Sequence, residues 1–86
     1  AVILVDPNDP DEVQRAEDVA HRLAERAIAL QGSCTGEHGI GLTKQGFMEQ
    51  EHGPHAVAIM AAIKAALDPR QLMNPGKIFA RGTPAE

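Results

Sequence analysis

The sequence predicts an α+β fold, a small sheet with helices packed on one face. Three observations predict it. A continuous apolar run rich in β-branched residues, Val2-Ile3-Leu4-Val5, opens the 86-residue chain, and two stretches with apolar residues at three- and four-residue steps follow. Short connections rich in Gly and Pro separate them, and strand–helix–strand–helix in that order stacks helices on a sheet.

Val2 to Val5 reads as a short strand buried on both faces, ended by Asp6-Pro7-Asn8-Asp9-Pro10, whose prolines and Asx residues favour turns over ladder pairing. The same cluster opens the first helix. Asp9 suits the N-cap, Pro10 the first helical position, and Asp11 and Glu12 the positive end. Val13, Ala16, Val19, Ala20, Leu23, Ala24, Ala27 and Ile28 form its apolar stripe, with Asp11/Arg15 and Asp18/Arg22 as ion pairs on the other side. The helix is expected to reach about Leu30 and stop at Gly32. Ser33 to Gly36 reads as a second short strand, and Lys44 to Glu51 as two helical turns closed by Gly53-Pro54. A second long helix places Ala56, Ile59, Met60, Ile63, Ala66 and Leu67 on one stripe and stops at Asp68-Pro69, because a residue before proline avoids the α region. Leu72 to Phe79 is a turn flanked by apolar residues.

Composition excludes several classes. With 2 Phe, no Trp and no Tyr, the core is aliphatic and alanine-rich, and no aromatic platform for single-stranded nucleic acid exists. A net charge of −4 argues against a phosphate-backbone binder, so no nucleic-acid partner is expected. No apolar run approaches the roughly 18 residues of a transmembrane segment, and Ala1 to Val5 is too short for a signal peptide. The single cysteine, Cys34, excludes an internal disulfide framework and a CxxC zinc site. These features predict a soluble, cytoplasmic protein. The chain begins at Ala1 directly in a strand pattern, which predicts a piece of a larger protein. Residues 1–86 read as one partial domain, with a flexible tail over 80–86.

Thr35-Gly36-Glu37-His38-Gly39-Ile40-Gly41 is the stretch richest in chemistry. Its glycines permit positive φ and close approach of a ligand to the backbone. In extended backbone, neighbouring side chains point to opposite faces, so Glu37 would face one centre, such as a metal, and His38 another, such as a substrate hydroxyl. The plainer reading is a glycine-rich turn with two solvated polar residues. Phosphate-loop readings fail: Lys44 comes two positions late for a Walker lysine, and stands where a dinucleotide fingerprint needs its third glycine. His52 and His55, beside Glu49 and Glu51, read as surface residues because Gly53-Pro54 breaks the helical spacing that would converge them. His21 reads as a helix-flank residue and Cys34 as an inert buried thiol. Asn74-Pro75-Gly76-Lys77 is a turn by composition, and offers an amide and a cation to an anionic or heteroaromatic ligand.

Three motifs taken in order, Gly32 to Gly41 with Lys44, Ile63 to Pro69, and Met73 to Ile78, resemble the C-terminal end of the FAD-linked oxidases. The branch they are most similar to is the glycolate oxidase and D-lactate dehydrogenase group, with D-2-hydroxyglutarate dehydrogenase as a relative. The resemblance implies a segment of the α+β cap domain that closes over FAD in an enzyme oxidising a D-2-hydroxy acid (glycolate or D-lactate) to the 2-oxo acid. It implies His38 as catalytic base or substrate contact, Glu37 as a ligand of a divalent metal (zinc, manganese or iron), and Asn74 and Lys77 near the flavin. It further implies an N-terminal FAD-binding domain outside this chain, so the isolated residues should neither retain FAD nor turn over. The parent is expected in the cytoplasm, free or peripheral to the inner membrane. The rival reading is a catalytically silent domain that self-associates or binds a partner chain, since a thin core and unpaired strand edges favour a homo-oligomer.

Overall fold

A computed structural model of the chain describes residues 2–79. It overturns the α+β expectation: the described residues hold three α-helices and one turn of 3₁₀ helix, with no strand or sheet among them. Val2 to Val5 has no ladder partner, and Val2 and Leu4 are each 88% exposed. Within Ser33 to Gly36, two amides that a ladder would use are taken by side chains. The Cys34 N–H donates to Glu51 and the Thr35 N–H to the Ser33 hydroxyl. The expected tail, 80–86, lies outside the described residues.

Helix α1 spans Pro10–Ala29 and begins as its sequence demands. The Asp9 carboxylate accepts the N–H groups of Asp11 (3.1 Å) and Glu12 (3.2 Å), two of the donors a helix start leaves orphaned. The other end differs from expectation. Gln31, not Gly32, takes the left-handed conformation (φ 65°), and the N–H groups of Gln31 and Gly32 close onto Ile28 O and Ala27 O in a Schellman arrangement. Gly32 still packs closely: a Cβ there would stand 3.0 Å from the Ala27 carbonyl oxygen, a tight contact. Neither Asp11–Arg15 nor Asp18–Arg22 forms an ion pair among the described residues. Asp18 instead accepts from the Gln14 amide at 3.0 Å, and His21 pairs with Glu25 at 2.7 Å.

The 3₁₀ turn Gln45–Phe47 runs into α2 (Met48–His52), and Gly53, at φ 82°, breaks the chain before α3 (Pro54–Leu67). Helix α2 packs on α3, and Cys34, Phe47, Met48, Val57, Ala58 and Ala61 make the core. The expected stripe of α3 is therefore on the wrong side: Ile59, Ile63 and Leu67 are exposed, while Val57, Ala58 and Ala61 face α2. This helix is apolar nearly all round, so its sequence pattern does not choose a face. None of α1 is buried. Its apolar residues Ala20, Leu23 and Ala24 line an open groove of about 620 Å³ with Cys34 and Phe47, and the His21 and Phe47 rings meet at 4.8 Å.

Candidate functional site

The glycine-rich stretch forms a loop closed upon itself. The Thr35 hydroxyl donates to the Gly39 carbonyl at 3.2 Å, and Gly39 and Gly41 hold φ of 79° and 54°, a region that strains L side chains. Residues 36–38 bend instead of extending, so the expected opposition of Glu37 and His38 does not occur. Their side chains converge at the loop tip, with His38 Nε2 3.5 Å from Glu37 Oε1. Both face solvent, at 91% exposure for Glu37 and 83% for His38.

Two anchors hold the loop. On the entry side, Glu51 Oε1 accepts the Cys34 N–H at 2.6 Å, and Glu51 Oε2 accepts the Ser33 hydroxyl at 3.2 Å and stands 2.9 Å from His52 Nε2. On the exit side, the Gly41 carbonyl accepts the Ile78 N–H at 2.8 Å, and the Gln45 amide donates to the Gly76 carbonyl. These last two bonds bring the Asn74–Lys77 turn to the end of the glycine-rich loop, so two motifs more than thirty residues apart share one corner of the molecule.

The Asn74–Lys77 turn has its own support. Asp68, 6% exposed, accepts the N–H groups of Leu72 and Met73, each at 2.9 Å, and pairs with Lys64, which also donates to the Met73 carbonyl at 2.7 Å. The Lys64 ammonium, with those two amides, lowers the Asp68 carboxyl from 3.8 to about 2. The Cys34 N–H, aided by the Ser33 hydroxyl, likewise lowers Glu51. Burial pushes the Cys34 thiol up, and a hydrogen bond to the Glu51 carboxylate adds to the rise. Asn74 itself sits at φ 47° on an exposed turn, and the Lys77 N–H donates to its carbonyl at 3.2 Å.

Glu51 was absent from the sequence-derived site because its partners lie 17 and 18 residues away. Asp68 read only as a helix stop, although an Asp after the last helical turn, ahead of a loop with free amides, is a recognisable acceptor. Glu37 and His38 offer a metal two donor groups. Among the described residues there is no group of three or more His, Cys, Asp or Glu side chains able to hold an ion, so these residues do not fit a complete metal centre. Asn74 and Lys77 carry an amide and an ammonium group on the Asn74–Lys77 turn. They do not line the groove beside α1, and their exposed turn makes no cradle. No described helix is long and apolar enough to cross a membrane.

The chain is 57% identical over 78 residues to the probable mitochondrial D-lactate dehydrogenase of Danio rerio, a match covering 91% of this chain and 16% of that protein. It is 42% identical over 76 residues to the glycolate oxidase subunit GlcD of Bacillus subtilis (88% of this chain, 16% of the relative). It is 38% identical over 80 residues to the D-2-hydroxyglutarate dehydrogenase of Stutzerimonas stutzeri (92% and 17%). The chain thus spans a small part of each relative's length. Residues 1–78 match the family described as FAD linked oxidases, C-terminal domain, in agreement with the three motifs on which the resemblance rested. With nearly the whole chain inside that match, this protein belongs to the C-terminal domain family of the FAD linked oxidases.

Proposed function

We propose that this chain is the C-terminal segment of a flavin-dependent oxidoreductase that oxidises a D-2-hydroxy acid, D-lactate or glycolate, to the corresponding 2-oxo acid. The observation that carries this reading is the exposed Glu37–His38 pair at the tip of a braced loop, in a chain that matches the family along residues 1–78. A base must reach a substrate that another part of the protein presents, and an exposed imidazole on an anchored loop can do so.

In this reading the His38 imidazole takes the proton of the substrate hydroxyl as the carbonyl forms. Bound FAD supplies the two-electron acceptor for the α-hydrogen, which leaves with its bonding pair. Glu37 stands beside it, its Oε1 3.5 Å from His38 Nε2. Where a divalent ion takes part, Glu37 offers it one ligand and the others come from outside residues 2–79. Asn74 and Lys77 hold the polar edge of the flavin or the substrate carboxylate. The flavin domain lies elsewhere in the polypeptide, and the isolated 86 residues are inactive.

The test is substrate oxidation by the full-length protein. D-lactate or glycolate is expected to bleach the flavin with formation of the 2-oxo acid, and the L-enantiomer of lactate is not. Flavin reduced by D-2-hydroxyglutarate alone would move the reading to the branch represented by the Stutzerimonas relative. A protein inert to all of these acids would contradict the proposal.

A further inference from the structure

We propose that Glu51 is a positioning residue for this reaction: its carboxylate clamps the Ser33–Cys34 stem of the loop that carries Glu37 and His38, and so fixes where the His38 imidazole stands. The inference rests on the functional reading above and goes beyond it in naming the group that sets the geometry.

Glu37 and His38 have exposed side chains, so packing does not place them; their location comes from the backbone on either side. On the exit side that backbone is tied by the Ile78 N–H to the Gly41 carbonyl. On the entry side the tie is Glu51, four residues or fewer from each site residue through Cys34. Both of its oxygens are engaged, Oε1 by the Cys34 N–H at 2.6 Å and Oε2 by the Ser33 hydroxyl at 3.2 Å and His52 Nε2 at 2.9 Å. Its side chain is 12% exposed, which keeps water from competing for these bonds. A carboxylate accepting an N–H makes a shorter and stronger bond than a neutral acceptor, the property a clamp requires. The Ser33 hydroxyl passes the constraint on by accepting the Thr35 N–H at 3.2 Å, and Thr35 closes the loop at Gly39.

The test compares wild type, Glu51→Ala and Glu51→Gln in the full-length flavoprotein, reading amide hydrogen exchange across residues 33–41, bound flavin, and kcat and KM for D-lactate. In Glu51→Ala, exchange at the loop stem is expected to rise by about tenfold or more. Turnover is expected to fall by about ten- to a hundredfold, with KM and flavin content within about twofold of wild type. Glu51→Gln keeps one neutral acceptor for the Cys34 N–H and falls between the two; if the alanine variant does not fold, the glutamine variant decides by the same readouts. Unchanged exchange overturns the clamp, and faster exchange with unchanged kcat overturns its role in the reaction. A wild type inert to every 2-hydroxy acid removes the functional reading and the kinetic half of the proposal together. An active wild type with unchanged exchange in the variants removes the clamp alone.

Discussion

Cys34 shows how one buried residue reports on the loop. Its thiol is buried, and burial with the adjoining Glu51 carboxylate pushes its pKa up, so little of the reactive thiolate forms near neutrality. Modification by a thiol reagent at pH 8 is therefore expected to run at least about tenfold slower than for an unhindered cysteine. A rate equal to that of a free thiol would mean that the Ser33–Cys34 stem is open. Asp68 makes the acid-side counterpart. Its folded-state carboxyl is depressed to about 2 from 3.8, so its contribution to stability is present above about pH 4 and is lost as the pH falls through about 2. Glu51 is shifted in the same direction and adds to the loss. Asp68→Asn is expected to flatten acid unfolding, followed by circular dichroism, across that window; an unchanged acid profile would contradict the Asp68 bonds. At this scale, what the sequence makes legible is local. Asp9 could be placed at the N-cap because the amides it accepts are two and three residues on, whereas the partners of Glu51 are 17 and 18 residues away.

Helix α1 forms where its local signals put it, because cap, proline and apolar period all agree. Asp9→Ala in the full-length protein is expected to cost about 1 kcal/mol, read by thermal or denaturant unfolding, and Asp9→Asn much less. Equal losses in the two variants would mean that the cap works by charge alone. Helix α3 was legible in extent but not in orientation. Its Ala- and Ile-rich sequence gives no polar face to point at water, and the side that is buried was decided by α2, which Gly53 folds back against it. Val57→Ala, on the buried side, is expected to cost about 2 kcal/mol. The two strands failed for one reason: a strand needs a partner, and pattern alone does not supply one. Val2–Val5 meets none, and the Cys34 and Thr35 amides are satisfied by the Glu51 and Ser33 side chains.

The molecule as a whole exposes 6709 Å², against about 4,900 Å² for a compact monomer of its mass. Leu4, Leu23, Ile63, Leu67 and Leu72 are among the large apolar residues left in solvent, and the radius of gyration is 15.1 Å, where a compact domain of this length has about 12 Å. A thin core was legible in a composition with only two aromatic residues; that α1 would lie unburied beside an open groove depends on long-range packing that no local pattern encodes. The two motifs, by contrast, were legible, because Glu37, His38, Asn74 and Lys77 stand in short, ordered stretches; that these stretches meet through Gly41–Ile78 and Gln45–Gly76 emerges only from the fold. In the proposed reaction, His38 performs the proton transfer of a flavoenzyme acting on D-2-hydroxy acids. Anaerobic stopped-flow reduction of the full-length protein by D-lactate and by glycolate, wild type against His38→Ala, tests it most directly. Flavin is expected to be bound equally in both proteins, with bleaching slowed by about a hundredfold or more in the variant. Bleaching at the wild-type rate in His38→Ala would contradict it, and would leave the glycine-rich loop a structural element.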